Sequence, residues 1–365
     1  MGLEVAHFGQ SRSTEPVVIA TSTINALAAT PYQTWAFRRA EITGFVGSPF
    51  RLPSGNALTF ARVRQLDPRL IGADRLVALA QRGLEPLGAL IARVPTQARM
   101  GVALCLSERC DAERADERGR QARRRVESAI IGPLVERGYE VMGRTIAKGH
   151  ASFGYAACEV GTMLEAGQLD LALVLGVDSY YDPFVLEELF AKERVLDSDW
   201  RESFVPGEAA SAIVLARADV ARDLGVKPMA TLDSVATNEE VATVDNDVGL
   251  LALGLSRAAV AVVKRLKREK RTLDWWISDA TGEPFRIHEL ELAWPRAAHL
   301  AMTPEGRLDL FPSHFGDLGA ATMPTAAAVA LEGLRRGDPS GRTCLTTGSS
   351  NTGARGATLL TALAS

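Results

Sequence analysis

One strand-and-helix pattern occurs twice in this chain, and it constrains the fold more than any other feature. Ser152 to Gly167 reads as a helix whose first turns use small residues, Gly154, Ala156 and Ala157. A helix of that kind packs closely against its neighbours, and Gly167 is the residue type expected just beyond a helix end. The run Leu169 to Leu175 follows, mostly apolar and bounded by Gly167 and Gly176, as expected of a strand buried on both faces. The second half repeats the order, with a small-residue helix over Gly319 to Leu334 and a strand over Thr343 to Thr347. Alternating elements in two similar halves predict a layered α/β fold made by internal duplication. The halves are placed at residues 1–222 and 223–365.

The remaining pattern fits that scheme. Val17 to Ala20, Met100 to Leu106, Ala209 to Ala216, Met229 to Val235 and Asp274 to Asp279 read as strands, the last containing Trp275 and Trp276. Trp275 and Trp276 are expected to pack between layers. Asp74 to Ala92 reads as a helix or two short ones broken near Pro86, and Leu255 to Lys267 as a helix with Ala258, Ala259, Val262 and Val263 on one side. Asp111 to Arg125 is polar and reads as a loop plus a surface helix, with Ser128 to Glu136 a separate amphipathic stretch. Phe204 to Glu208 and Gly348 to Gly353 read as turns, and Ala354 to Leu363 as an apolar strand.

Bulk properties exclude several function classes. A net charge of -3 gives no reason to expect nucleic acid or an anionic membrane as partner. The one basic run noted is Arg118 to Arg125, beside Asp111, Glu113, Asp116 and Glu117, and it reads as a solvated face. Four cysteines in 365 residues do not make a disulfide framework, and neither they nor the histidines show metal-ligand spacing. No metal or cofactor is expected, and a reducing cytoplasm fits. Met1 to Gln10 has no basic segment followed by an apolar one, so no secretory leader is expected. Ala6 leaves the myristoylation pattern incomplete. His7, His288 and His299 read as surface or capping residues.

Two adjacent segments carry a specific resemblance. Leu169-Asp170-Leu171-Ala172-Leu173-Val174-Leu175-Gly176-Val177-Asp178-Ser179 is followed by Phe204-Val205-Pro206-Gly207-Glu208-Ala209-Ala210. They resemble the "xADxALAGGVES" strand and "GFVPGEGA" turn of the β-ketoacyl synthases, within the thiolase-like superfamily. Ala20-Thr21-Ser22 with Trp35, and the turn from Gly348 to Gly356, are weaker matches. The resemblance covers most of the chain and implies a thiolase-like αβαβα layering of two similar halves. It also implies a dimer formed by pairing the strand before the nucleophile helix, here Gly138 to Ala147.

The same resemblance implies that the catalytic Cys-His-His set is missing. Family spacing counted back from Gly167 places His150 where the nucleophilic Cys is expected. Cys158 lies about two turns further on and reads as core. The first catalytic His position is Asp279, with Thr281-Gly282 kept. The second is Asp317, after Ser313-His314-Phe315-Gly316, and the family's lysine is Pro312. Two carboxylates would repel the charge that develops in a Claisen condensation, and no thiolate remains to carry the acyl group.

His150, Asp279 and Asp317 are expected to converge. They would form an inert hydrogen-bonded plug, a remodelled acyltransferase or acyl-thioester hydrolase site, or a divalent-cation donor set; the plug is the adopted reading. Ser152, Glu283, Ser313, His314 and Asn351 are candidate ligand-pocket residues. Glu283 and Arg286 would pair with each other or with a ligand. A Phe expected in the Asn351–Arg355 turn is absent.

The resemblance therefore implies a binding, scaffold or adaptor subunit. Its expected partners are a second copy, a ketosynthase-like subunit as in chain-length factors, a protein cargo or an acyl carrier protein. Similar degenerate proteins encoded among type VI secretion genes suggest the adaptor form by analogy.

Overall fold

The apolar runs of the sequence become the central strands of one large sheet. The computed structural model describes residues 2–9, 11, 13–197, 201–246 and 248–363; Met1, Gln10 and Ala364-Ser365, at the ends of stretches discussed above, lie outside them. The first half runs β1 (Glu4–His7), β2 (Pro16–Asn25), α1 (Pro31–Arg39), β3 (Phe45–Arg51), β4 (Ala57–Ala61), α2 (Gly72–Leu84), α3 (Gly88–Ile91), β5 (Met100–Cys105), α4 (Glu117–Glu136), β6 (Val141–Ile146), α5 (Ser152–Glu165), β7 (Leu171–Ser179), α6 (Pro183–Ala191), β8 (Glu208–Arg217) and α7 (Ala218–Asp223). The second runs β9 (Ala230–Glu239), α8 (Leu253–Arg268), β10 (Leu273–Ser278), α9 (Pro284–Ala301), β11 (Met302–Leu310), α10 (Pro312–Phe315), α11 (Thr322–Arg335), β12 (Thr343–Ser349) and β13 (Ala354–Ala362).

The strand order is β11-β10-β12-β13-β9-β2-β8-β7-β5-β6, with β1 paired to β9. Read outward from the centre, β2-β8-β7-β5-β6 and β9-β13-β12-β10-β11 repeat one pattern. In each, the first two pairings are antiparallel and the last two parallel. The halves meet where Val17 and Val18 pair with Thr231 and Ala230.

Between the half-sheets lie α5 and α11. Helix α5 packs on β9, β13, β5 and β7, and α11 on β8 and β12. Nearly every residue of α11 is buried, as a helix packed on both sides requires. Helices α2 and α4 cover the first half, and α8 and α9 the second, which completes αβαβα layers. The small residues at the start of α5 do what the sequence suggests: a Cβ on Gly154 would lie 2.9 Å from Gly356 Cα of β13. Gly167, at φ +68, ends α5, and the Gln168 N–H returns to Met163 O at 2.8 Å. Trp275 and Trp276 are fully buried, their indole N–H groups donating to Asp309 and Thr347.

Some boundaries differ from the sequence reading. The stretches Asp111–Arg125 and Ser128–Glu136 are not separate, because Glu117 to Glu136 is one continuous helix that carries Pro133 inside it and is capped by Asp116. Helix α9 and strands β3, β4 and β11 were not anticipated. The turn expected over Gly348 to Gly353 is shorter, since Gly348 and Ser349 still belong to β12. No helix among the described residues is long and apolar enough to cross a membrane.

Candidate functional site

Each central helix starts in the same unusual way. A 3-10 turn, Gly149–Ala151, precedes α5, and another, Gly319–Ala321, precedes α11. Gly149 has φ +50 and Gly319 φ +52, a left-handed conformation that only glycine adopts without cost. Each is also pressed against a carboxylate. A Cβ on Gly149 would fall 2.2 Å from Glu108 Oε2, and one on Gly319 2.1 Å from Asp178 Oδ2. These two turns bring His150 and Asp317 together.

His150 and Asp317 are each 1% exposed. His150 Nε2–H donates to Asp317 Oδ1 at 2.6 Å, and the same oxygen accepts from Gly319 N at 2.7 Å. Burial resists ionisation of the Asp317 carboxyl, but the His150 charge, its hydrogen bond and Arg286 hold it well below the usual carboxylate range. Burial likewise opposes charge on His150, yet the Asp317 carboxylate raises the imidazole above its ordinary 6.5. Below pH 6.5 the pair is therefore an imidazolium–carboxylate pair. His150 Nδ1 and Asp317 Oδ2 have no hydrogen-bond partner among the described residues.

Asp279 belongs to a second group centred on Arg286. Its Oδ2 accepts from Ser349 N at 2.8 Å and from Arg286 Nη1 at 3.3 Å. Arg286 also donates to Ser349 O at 2.6 Å and Asn351 Oδ1 at 2.9 Å, and its Nε lies 3.3 Å from Glu283 Oε2. Burial works against the Arg286 charge, and Asp279, Glu283 and Asp317 more than restore it. Glu283 is further held by Arg194 at 2.6 Å and by Thr281 Oγ1 at 3.0 Å. His150 and Asp317 thus meet directly, whereas Asp279 bonds to the Arg286 guanidinium and not to the imidazole, and the two groups influence one another only through their charges.

The candidate pocket residues divide. Glu283 and Asn351 sit in the Arg286 network, Asn351 Oδ1 also accepting from Arg194 at 3.2 Å. Ser152 is committed to the turn, donating to Leu106 O and accepting from Lys148 N. Ser313 and His314 face away, a correction to the expectation that they line the site. Ser313 Oγ donates to Leu310 O, and His314 pairs with exposed Glu41 at 3.0 Å. The short helix α10 turns Phe311 and Phe315 inward, stacked 4.3 Å apart, and so turns Ser313 and His314 outward. Three partners escaped the sequence reading: Arg194; Glu108, which accepts from Ser350 Oγ and Asn351 N; and Arg109, 3.4 Å from Asp178. The paired Gly149 and Gly319 were the available signal for the two carboxylates.

In that imidazolium state His150 has no lone pair to act as base or nucleophile. The cysteines do not replace it. All four are buried and free, and burial pushes the Cys110 and Cys158 thiols up to about 12 and those of Cys105 and Cys344 well above their ordinary range. A cavity of about 490 Å³ is lined by Ser107, Arg109, Asp178, Ser179 and Phe184 among others; His150, Asp279 and Asp317 are not in its wall.

Comparison with known proteins places this geometry in a fold. No protein-family model matches the chain, and no curated protein does. Solved structures match it well. One is a type II polyketide acyl-carrier protein in complex with its ketosynthase bound to the hexaketide (TM-score 0.75, 12% identity, 96% of this chain and 99% of that one). A second is the ishigamide ketosynthase/chain length factor (0.70, 18%, 96% and 99%). A third is an oxazolomycin ketosynthase domain from Streptomyces albus (0.71, 16%, 96% and 74%). The chain has the thiolase-like ketosynthase fold.

Proposed function

We propose that this protein acts by binding a partner and does not condense acyl groups. The observation that carries the reading is the buried, charge-paired His150–Asp317 couple where the helix start would otherwise present a nucleophile. A thioester would have to reach an imidazole that is 1% exposed and already bonded to Asp317. The acyltransferase or thioester-hydrolase alternative needs that imidazole neutral and open.

The partner we propose is a ketosynthase-like chain, either a second copy or a related subunit. Two similar structures are a ketosynthase/chain length factor and a ketosynthase with its acyl-carrier protein, so a carrier protein is the next candidate. The surface is β6, which ends the sheet and pairs only with β5 among the described residues. An unpaired strand edge is a template for another strand, and Met142 on it is 46% exposed. Adaptor and cargo-carrying roles are forms of the same binding reading. The division at residues 222 and 223 is proposed as the junction of a duplicated unit. Four free cysteines suit a reducing compartment such as the cytoplasm.

Light scattering on the purified chain tests the surface. The wild type is expected to form a dimer, alone or on mixing with a ketosynthase-like subunit. Met142→Asp places one charge, and by two-fold symmetry a second, in the strand pairing. It should weaken that dimer at least ~10-fold with an unchanged circular dichroism spectrum. A wild type that stays monomeric and captures no such subunit would overturn the assignment.

A further inference from the structure

The run Arg118–Arg125 is not where unbalanced positive charge lies. Its arginines are matched by Asp116, Glu117, Glu127 and Asp74, as a solvated face would be. A second run, unmarked in the sequence reading, is different. Lys264, Arg265, Lys267, Arg268, Lys270 and Arg271 share eight residues with one carboxylate, Glu269, although the chain holds 44 acidic against 41 basic residues. Glu269 is taken by Arg265 and Arg271. Arg257, Lys264, Lys267 and Arg268 are exposed and have no carboxylate partner among the described residues.

These four cations share one edge of α8 at helical spacing, with Val260 and Ala261 between them. The opposite face, including Ala258, Ala259, Val262, Val263 and Leu266, is buried. Strand β1 and the residue before it place Leu3 and Val5, 45% and 37% exposed, across from that edge. Together they bound an open groove of about 710 Å³. Burial first, and then the nearby Arg265 and Arg268, push the His7 imidazole at its end below its ordinary value, with Glu269 opposing them. Complementing the helix dipole explains Lys267 and Arg268 in the last turn, but it leaves Arg257, near the positive end of α8, disfavoured.

We infer that the groove between β1 and α8 docks an acidic amphipathic helix of a partner protein. Arg257 to Arg268 spans roughly 16 Å at 1.5 Å per residue, three turns of a helical ligand. Spread over that length, the cations suit a row of carboxylates and not one small anion. The apolar floor of Leu3, Val5, Val260 and Ala261 suits a ligand with an apolar stripe. No Phe, Tyr or Trp lines the groove to stack bases, and its concave form does not suit a flat lipid surface. The groove lies on the outer layer of the second half, so the inference stands apart from the reading of the His150 cluster.

Selection from a displayed library of peptides about four helical turns long, against the full chain, tests it. The counter-target is Lys264→Glu/Arg268→Glu, which alters exposed side chains only and whose fold is checked by circular dichroism. Recovered peptides are expected to be net acidic, with apolar residues at three- and four-residue spacing. They should bind wild type at least ~10-fold more tightly than the double variant, with affinity falling as salt rises. Recovery without acidic bias, or equal binding to both proteins, would overturn the inference. So would tighter binding of phosphatidylserine vesicles or a DNA duplex than of the recovered peptides.

Discussion

Asp317→Ala should lower the unfolding free energy by about 3–5 kcal/mol, because it leaves a buried imidazolium without its counter-charge. It also removes the acceptor of Gly319 N, the donor at the turn that starts α11. Urea unfolding of wild type and variant measures the difference. The pH dependence follows from the directions of the two shifts. Asp317 is depressed below its ordinary 3.8, so its contribution is present above that value and is lost as pH falls through the folded one. His150 is raised above 6.5, so its contribution is full below 6.5 and is lost as pH rises through the folded value. The wild-type advantage over Asp317→Ala should therefore peak between roughly pH 4 and 6.5 and shrink on either side. A difference below about 1 kcal/mol, the range of an exposed pair, would contradict the charge-paired assignment.

Arg286→Ala should be at least as damaging. Arg286 and Asp279 are 3–4% exposed and Glu283 4%, so the variant removes a buried guanidinium from two buried carboxylates. It also orphans Ser349 O. A loss of about 3–5 kcal/mol is expected, with Arg194 preserving part of the Glu283 contact. Arg286→Lys should recover less than half, because an ammonium cannot present a planar fork to Ser349 O, Asn351 Oδ1 and Asp279 at once. Chemical denaturation of the three proteins decides this. Full recovery by lysine would show that only net charge matters there.

The layered architecture was legible because its central strands are buried on both faces. Every residue of β7 is buried, and the unbroken apolar run Leu171 to Leu175 ahead of Gly176 reads as an inner strand. Helix α5 was legible from its glycine stop and small-residue start. Helix α9 was not, since Pro284–Ala301 mixes Glu289, Arg296 and Pro295 with apolar residues and only three dimensions show that Arg286 and Glu289 point inward to Asp279 and Arg355. The same cause hid the partition of the site. His150 and Asp317 are 167 residues apart, and Arg194 reaches Glu283 across 89. Resemblance singled out the three residues, but nothing local in the sequence indicates that Asp279 bonds to Arg286 while Asp317 takes the imidazole. Ser313 and His314 were misplaced because a four-residue helix decides which side chains face inward, and its rotation is set by the Phe311–Phe315 stack.

Turnover of acyl-thioesters by the wild-type protein, followed by thiol release and by mass spectrometry of the intact chain, tests the central claim most directly. The expected result is a rate equal to that of buffer, no acyl adduct on the protein, and no difference between wild type and a folded His150→Ala variant. Saturable turnover that disappears in His150→Ala would contradict it and would show that the buried imidazole opens to substrate.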